Sequence, residues 1–122
     1  MLSFPPGLQV FMAVEPVDMR KSFDGLSAAV QTVFDRNVLS GHLFLFLNRR
    51  RDLVKCLWWD RDGLAVFSKR LELGSYEVPR HDPQTKQLRL DATQLTLVLS
   101  GVQLDSVKRR RRYVPEQPSA VV

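Results

Sequence analysis

Hydrophobic residues alternate and cluster most densely between residues 41 and 71, where the pattern predicts three short strands. Strands are expected at His42–Leu47, Leu53–Trp59 and Leu64–Leu71, because Phe, Val, Leu and Trp dominate them and turn residues bound them. The connections are Asn48–Asp52 and the Asp-Arg-Asp-Gly segment that ends at Gly63, which is expected to take a positive φ. Connections this short make neighbouring strands antiparallel, so the segment is predicted to be a β-meander.

Both faces of this predicted sheet are mostly apolar. In the first strand Phe44 and Phe46 point to one side, and the leucines between and beside them point to the other. A sheet that is apolar on both sides must be covered twice, by helices, by another sheet or by a second copy of the chain. The sequence therefore predicts helical cover and allows a homo-oligomer.

Two helices are predicted, one on either side of the meander in sequence. The first is expected from Asp18, as N-cap, to Asp35, and its apolar stripe should pack on the sheet; the stripe consists of Phe23, Leu26, Val30, Val33 and Phe34. The second is expected over residues 92–100, with Asp91 as N-cap and Gly101 just beyond its end. Thr93, Thr96 and Val98 are β-branched, so a strand is the competing interpretation of this segment.

Three further short strands complete the predicted fold. They are expected at Leu8–Val14, at Ser75–Val78 as an edge strand closed by Pro79, and at Lys86–Leu90. The predicted class is α+β, an antiparallel β-meander of about four to six strands packed by one long and one short helix. Residues 1–107 are expected to form a single domain, and residues 108–122 a basic, disordered tail.

Positive charge is concentrated rather than spread evenly. Lys and Arg outnumber Asp and Glu by 18 to 13, and the pI is about 9.9, which makes nucleic-acid binding a serious hypothesis. Two cations, Arg20 and Lys21, stand in the predicted first turn of the first helix. They could form a phosphate cradle there or be neutralised by Asp18 and Asp24. The candidate DNA-binding residues are Arg20, Lys21, Arg49, Arg50, Arg51, Lys108, Arg109, Arg110, Arg111 and Arg112.

The two tryptophans are candidates of another kind. Trp58 and Trp59 are consecutive in a predicted strand and therefore point to opposite faces, so one could be core and the other a partner contact or a base-stacking platform. Burial of both is the competing interpretation. Cys56 lies in the same strand and is expected to be a core residue, and a single cysteine fits a reducing compartment.

The sequence gives little support to the hypothesis that the protein is an enzyme. A metal-dependent nuclease needs carboxylates that converge on divalent cations. Asp60 and Asp62 flank Arg61 in a predicted turn, where such residues serve the turn first. No nucleophile with a base and an orienting group can be named, so no catalytic, metal-binding or cofactor-binding residue is predicted and an enzyme is not expected.

Three segments together resemble a known family. They are the stretch "VDMRKSFDGL" from residue 17, residues 40–72 with "RRRD" and "LWWDRDGL", and residues 91–101. They are similar to the TnpB-type accessory protein encoded by the second open reading frame of the insertion sequence 66 transposase family. The resemblance covers about residues 8–104 and implies a bacterial protein that works beside a separate transposase, with no catalytic residues carried by the motifs.

Residues and resemblance together lead to one leading hypothesis. The chain is expected to be a non-catalytic transposition accessory protein that binds DNA, at the element ends, through basic patches. A protein–protein adaptor of the transposase without DNA contact is the runner-up, and a metal-dependent nuclease is a remote third. No signal-peptide pattern and no membrane-length apolar run are visible, so a cytoplasmic location without membrane contact is expected.

Overall fold

The strand Leu43–Leu47 lies at the centre of the protein, and all five of its residues are buried. In this computed structural model residues 7–100, 102–103 and 108–109 are described, the last two pairs by their backbone only. The strands are β1 (Val10–Ala13), β2 (Leu43–Leu47), β3 (Leu53–Asp60), β4 (Gly63–Arg70), β5 (Gln87–Leu90), β6 (Val102–Gln103) and β7 (Lys108–Arg109), and the helices are α1 (Phe23–Phe34) and α2 (Ala92–Ser100).

Five strands form one mixed sheet in the order β4-β3-β2-β1-β5, and β6 pairs with β7 in a separate two-stranded sheet. The predicted meander is confirmed as β2-β3-β4, which is antiparallel throughout. The sheet is not strictly antiparallel, because β1 runs parallel to β2 and the α1 segment crosses between them. A parallel pair needs such a crossover, and α1 supplies it. The α+β class is confirmed.

Each apolar face of the sheet has its own core. On the α1 face, Leu26, Val30 and Phe34 of the helix pack against a mostly aromatic strand surface, whose buried members are Phe11, Ala13, Phe44, Phe46 and Leu57. On the α2 face, Leu95 and Val98 join Tyr76 over the opposite side of the same strands. Both predicted helices therefore cover the sheet, and the expected homo-oligomer stays a prediction.

The start of α1 was predicted wrongly. The helix begins at Phe23, after Ser22 in extended geometry, and not at Asp18. Asp18 instead accepts the Arg20 N–H through Oδ1 at 2.9 Å, and its carbonyl accepts the Lys21 N–H at 3.2 Å. An aspartate of this kind stabilises a local turn as readily as a helix start, so the residue type alone did not distinguish the two.

The first residue of the predicted stripe is also placed differently. Phe23 is 48% exposed, so it does not belong to the core that Leu26, Val30 and Phe34 build. Val33 is half-buried and packs at the margin of the same core. The stripe is shorter at its N-terminal end because the helix begins there and its first turn extends past the sheet.

The second helix is confirmed over the strand alternative. Asp91 Oδ1 accepts the Gln94 N–H at 2.7 Å, and Gln94 Oε1 accepts the Asp91 N–H at 3.0 Å. This reciprocal capping satisfies two backbone donors at the helix start. It outweighs the small helix cost of the β-branched residues, one of which, Thr96, bonds back to the Ala92 carbonyl at 2.9 Å.

Two local predictions around the meander are wrong. Ser75–Val78 forms no strand; the Tyr76 ring is buried on the α2 face, and its hydroxyl donates to the Lys69 carbonyl at 3.1 Å. The turn between β3 and β4 is shorter than expected, because Gly63 pairs with Asp60 and the positive φ of 60° falls on Arg61. Gln87–Leu90 confirms the predicted last strand of the sheet, and its antiparallel partner is β1.

The described part of the chain has no helix with the length and apolar character needed to cross a membrane.

The two phenylalanines at the ends of α1 give a direct test of this packing. Phe34→Ala is expected to lower the free energy of unfolding by about 3–5 kcal/mol, because a fully packed aromatic ring is removed. Phe23→Ala, the matched control in the same helix, is expected to cost less than about 1 kcal/mol. Urea denaturation followed by circular dichroism measures both, and equal losses would contradict the assigned faces.

His42 makes stability depend on pH. Its Nδ1 accepts the Gln9 N–H at 2.9 Å, and burial, then the charges of Arg36 and Arg89, lower the pKa of the ring. The unfolded chain, with a histidine pKa of about 6.5, therefore binds the proton more readily than the folded protein. Stability is expected to fall as the pH drops from 7 to 5, and His42→Asn should flatten this dependence in urea titrations. His81→Asn, the control, leaves His42 in place and should keep the wild-type slope.

Candidate nucleic-acid interface

The turn between β2 and β3 is organised by one side chain, Asn48. Its Oδ1 accepts the N–H groups of Asp52 and Leu53, each at 3.0 Å, and its Nδ2 donates to Asp52 Oδ1 at 2.6 Å. The backbone closes the same turn, since the Asn48 carbonyl accepts the Arg51 N–H at 3.0 Å. Asn48 thus fixes both ends of the segment that carries the three arginines.

The three arginines project from a backbone that hydrogen bonds fix in place. Arg49, Arg50 and Arg51 are all exposed, and Arg51 adopts a left-handed φ of 60°. The Arg51 carbonyl accepts the Tyr76 N–H at 2.6 Å, which ties the turn to the segment that covers the α2 face. The arrangement presents cations to solvent without requiring the backbone to be ordered by a ligand.

Asp52 partly balances this charge. The hydrogen bond from Asn48 lowers the pKa of the Asp52 carboxyl, and the charges of Arg70 and Arg50 add to the effect. Arg70 Nη1 stands 3.8 Å from Asp52 Oδ2, at the end of β4. The carboxylate is therefore ionised at neutral pH and shared between a structural amide and a cation, while the arginines at the tip remain exposed.

A second basic segment lies beside this turn. The Val17 N–H donates to the Leu47 carbonyl at 2.9 Å, which joins the chain ahead of α1 to the end of β2. Lys55 reaches from the α1 face of β3 and donates through Nζ to the Met19 carbonyl at 2.9 Å and the Lys21 carbonyl at 3.3 Å. The structure therefore brings Arg20 and Lys21 to the same end of the sheet as the arginine turn.

The two segments enclose an open cleft of ≈ 410 Å³. Its walls come from the Pro16–Met19 segment on one side and from the Asn48 turn on the other, and the lining residues are Pro16, Val17, Asp18, Met19, Asn48, Arg49 and Arg50. A cleft with cations on its rim and open to water suits an extended polyanion better than a small enclosed ligand.

The prediction of a phosphate cradle at the N-terminus of α1 is wrong. Arg20 and Lys21 precede α1 and do not belong to its first turn. The Arg20 guanidinium forms an ion pair with Asp18 at 2.9 Å, and its hydrogen bond to that side chain is the main reason that the pKa of Asp18 falls to about 2. Asp18 thus neutralises Arg20, as the competing interpretation held. Lys21 has its side chain against Gly25, where an added Cβ would stand 2.9 Å from the Lys21 Cβ.

Neither tryptophan belongs to the basic surface. Trp58 is half-buried against the α2-face core, and Trp59 is half-buried on the opposite face, where Leu64 is its cross-strand neighbour. Both lie at the Asp60 end of β3, whereas the arginine turn joins its Leu53 end. This separation does not support a stacking role for either ring beside the arginine turn.

The C-terminal run of candidates is only partly described. Lys108 and Arg109 contribute the backbone of β7, which pairs with β6. Arg110, Arg111 and Arg112 lie outside the described residues, together with the rest of the predicted tail. The boundary at residue 107 and the disordered tail therefore stay predictions, as does DNA contact by this run.

The side chains of Cys56, His81 and Asp82 are buried or hydrogen-bonded to nearby backbone groups. The Cys56 thiol is buried, which raises its pKa to about 12. His81 Nδ1 contacts the Pro79 carbonyl at 2.8 Å, while Asp82 Oδ1 accepts the Gln84 N–H at 2.9 Å. Among the residues that the structure describes, no three of the His, Cys, Asp and Glu side chains are grouped so that they could hold a metal ion.

Sequence reasoning missed two residues that build the site, Asn48 and Lys55. A signal for Lys55 was present, because it is a lone cation on a strand face shared with Leu57 and Trp59. Such a lysine must find acceptors at the edge of the core. The signal for Asn48 was its position directly before three arginines and an aspartate, where an amide can accept from the following backbone.

Comparison with known proteins identifies relatives along nearly the whole chain. A family model described as "IS66 Orf2 like protein" matches residues 8–109. Uncharacterized protein y4hO of Sinorhizobium fredii is 34% identical over 102 residues, which is 84% of this chain and 87% of the relative. Uncharacterized protein y4jC of the same organism is 30% identical over 104 residues, or 85% of this chain and 87% of the relative. No solved structure matches.

Asn48→Ala tests whether one amide holds the arginine turn. The substitution leaves the N–H groups of Asp52 and Leu53 without their acceptor, so the free energy of unfolding should fall by about 1–3 kcal/mol. Asn37→Ala is the matched control, since that side chain accepts one exposed N–H, from Leu39 at 2.8 Å. Chemical denaturation should give a smaller loss for the control, and the reverse order would contradict the role assigned to Asn48.

Proposed function

Because the chain belongs to the family of IS66 Orf2-like proteins, we propose that it is a non-catalytic accessory protein of insertion-sequence transposition that binds DNA through phosphates. It works beside a separate transposase of the same element. One observation carries the DNA-binding part: the arginine turn at residues 49–51 and the loop that carries Lys21 meet at one end of the sheet, around one open cleft.

The rigidity of the turn supports a phosphate contact. Three arginines in solution would lose conformational freedom on binding, but here Asn48 and the Tyr76 N–H have already ordered the backbone that bears them. Arginine presents a planar fork of donors that matches the geometry of phosphate oxygens. The turn is therefore prepared to bind a polyanion and needs little rearrangement to do so.

The contributions within this surface are unequal. Arg49, Arg50 and Arg51 are exposed cations, and of these Arg49 and Arg50 line the cleft. Arg20 must exchange Asp18 for a phosphate, so its contribution is the smaller. Lys21 is exposed and adds a further cation at the same end of the sheet, although it does not line the cleft itself. The Lys108–Arg112 run extends the same electrostatic attraction along the duplex.

Phosphate contacts orient a protein on DNA but do not read the bases. Among the described residues, Arg20, Lys21 and the arginines at 49–51 lie on loops and not on a helix or strand that could enter a groove, so we expect discrimination between sequences to be weak. Selection of the element ends then falls to the transposase. The protein acts in the bacterial cytoplasm, where the element and its transposase are found.

An adaptor role is the second candidate, and one observation favours it. Phe23 and Leu39 are large apolar side chains exposed to 48% and 58%, and they could contact a protein partner. In that case the partner is the transposase subunit, and the basic turn serves solubility. The two functions differ in whether the isolated protein binds DNA.

The salt dependence of DNA binding tests the proposal. Each phosphate neutralised contributes about −0.9 to the slope of log K against log salt concentration. Replacing Arg49, Arg50 and Arg51 together by Ala should therefore flatten the slope by up to about 3 and weaken element-end and random DNA alike. Fluorescence anisotropy at several salt concentrations measures both quantities.

Arg61→Ala is the matched control, because Arg61 is also an exposed arginine in a hairpin turn, but at the opposite end of β3. It should leave slope and affinity close to the wild type. An unchanged slope in the triple variant, with its circular dichroism spectrum intact, would contradict DNA binding by this turn and favour the adaptor. Loss of transposition in cells with DNA binding retained would favour the adaptor as well.

A further inference from the structure

The strand β4 forms one edge of the five-stranded sheet. It is eight residues long, and among the described strands, in the order β4-β3-β2-β1-β5, it has a neighbour on one side only. The opposite edge, β5, has four residues. A long edge strand presents unpaired backbone groups that can pair with another chain unless the edge is blocked.

The direction of these backbone groups follows from the register. The Leu71 N–H donates to the Asp52 carbonyl at 2.7 Å, which marks that pair as hydrogen-bonded. Hydrogen-bonded and non-hydrogen-bonded pairs alternate along an antiparallel ladder. The pairs Leu57–Val66 and Lys55–Ser68 are therefore non-hydrogen-bonded. The N–H and C=O groups that point away from β3 belong to Leu64, Val66, Ser68 and Arg70.

The side chains do not block this edge along its first half. Residues 64–67 are apolar, and Phe67 is 44% exposed although it is a large aromatic residue. Protective charge appears only at the far end, in Lys69 and Arg70, and the turn at the near end carries Asp62. The edge thus has an acidic start, an apolar middle and a basic end.

We propose that the β4 edge pairs antiparallel with the β4 edge of a second copy of this chain and forms a homodimer. In this register Val66 stands opposite Val66 of the second copy on the two-fold axis, and Leu64 stands opposite Ser68. Asp62, in the turn that precedes β4, then approaches Arg70 once on each side of the axis, where it adds a second carboxylate to Asp52, which already stands 3.8 Å from that guanidinium. The outward-pointing backbone groups of both copies face one another, so the sheets join into one continuous sheet.

Charge selects this register over its neighbours. A shift of two residues in one direction brings Lys69 near Arg61 in the turn ahead of β4, and a shift in the other direction brings Asp62 near Glu72, which follows β4. Like charges directly opposite each other destabilise a strand pair, whereas opposite charges stabilise it. A second copy fits this edge because one sequence supplies the acidic, apolar and basic positions in the order that antiparallel pairing requires. A dimer through this edge forms whether or not the protein binds DNA.

A charge exchange tests the dimer. Asp62→Arg places like charges at both symmetric contacts and should weaken dimerisation about tenfold or more in sedimentation equilibrium of the full chain. The double variant Asp62→Arg with Arg70→Asp restores opposite charges across the contact and should dimerise at least about tenfold more tightly than Arg70→Asp alone, the reference variant that shares the lost Asp52 ion pair. Asp60→Arg, the control, makes the same charge change on β3 and should leave dimerisation within about twofold of the wild type.

A disulfide tests the register. Residues in a hydrogen-bonded antiparallel pair have Cα atoms about 5.5 Å apart, which is within the range that a disulfide spans. Val66→Cys should therefore form a covalent dimer when oxidised glutathione is added, with two thiols converted to one disulfide and glutathione reduced. Ser68→Cys is the control, because its copies lie four residues apart along the strand, and should remain uncrosslinked. Cys56 is present in both variants and is buried.

Three results would overturn the proposal. One is a monomer at every concentration reached in sedimentation, measured on wild-type protein. Another is a dimer that Asp62→Arg leaves unchanged while circular dichroism shows the variant folded, since the contact would then lie elsewhere. The third is crosslinking of Ser68→Cys as fast as that of Val66→Cys, because this would exclude the two-fold axis at Val66.

Discussion

The complete burial of β2 is the constraint on which the rest of the structure depends. Leu43, Leu45 and Leu47 face one core, and Phe44 and Phe46 face the other, so the strand has no position that can hold a charge. A strand of this kind must lie inside a sheet and must have a layer on each side. The interior position of β2 in the sheet, the need for a helix on each face and the lack of charged residues in this strand all follow from it.

Two lysines on the neighbouring strands connect the sheet to both covering layers. Lys55 on the α1 face donates to the Met19 and Lys21 carbonyls ahead of α1, and Lys69 on the α2 face donates to the Leu99 carbonyl near the end of α2 at 3.2 Å. A cation close to the last carbonyls of a helix is favoured by the helix dipole. Each lysine thus holds a segment of backbone by its carbonyls, and Lys55 in doing so sets one wall of the basic cleft.

The parts of this fold that could be predicted from sequence are those governed by neighbours in the chain. The meander and α2 follow from alternation, short turns and the Asp91 cap, all of which act over a few residues. The parallel pairing of β1 with β2 could not be predicted, because it depends on where α1 returns the chain. At Asp18 the sequence is compatible with a helix start and with a turn, and the tertiary contacts of Val17 and Lys55 fix the extended segment that the structure has there. The arginine turn was predictable as a cluster of charge, whereas its alignment with the loop at Lys21 was not.

The position of β1 between β2 and β5 has a consequence for how the chain folds. Val10 pairs with both Leu43 and Leu90, so the first strand of the sheet is completed by one of the last. The meander of β2, β3 and β4 contains only local pairings and can form early. The five-stranded sheet is complete only when β5, late in the sequence, pairs with β1. Contacts between distant parts of a sequence slow folding. A folding intermediate in which the meander has formed and β5 has not yet paired leaves β1 as an unpaired apolar edge, and such edges are prone to aggregation.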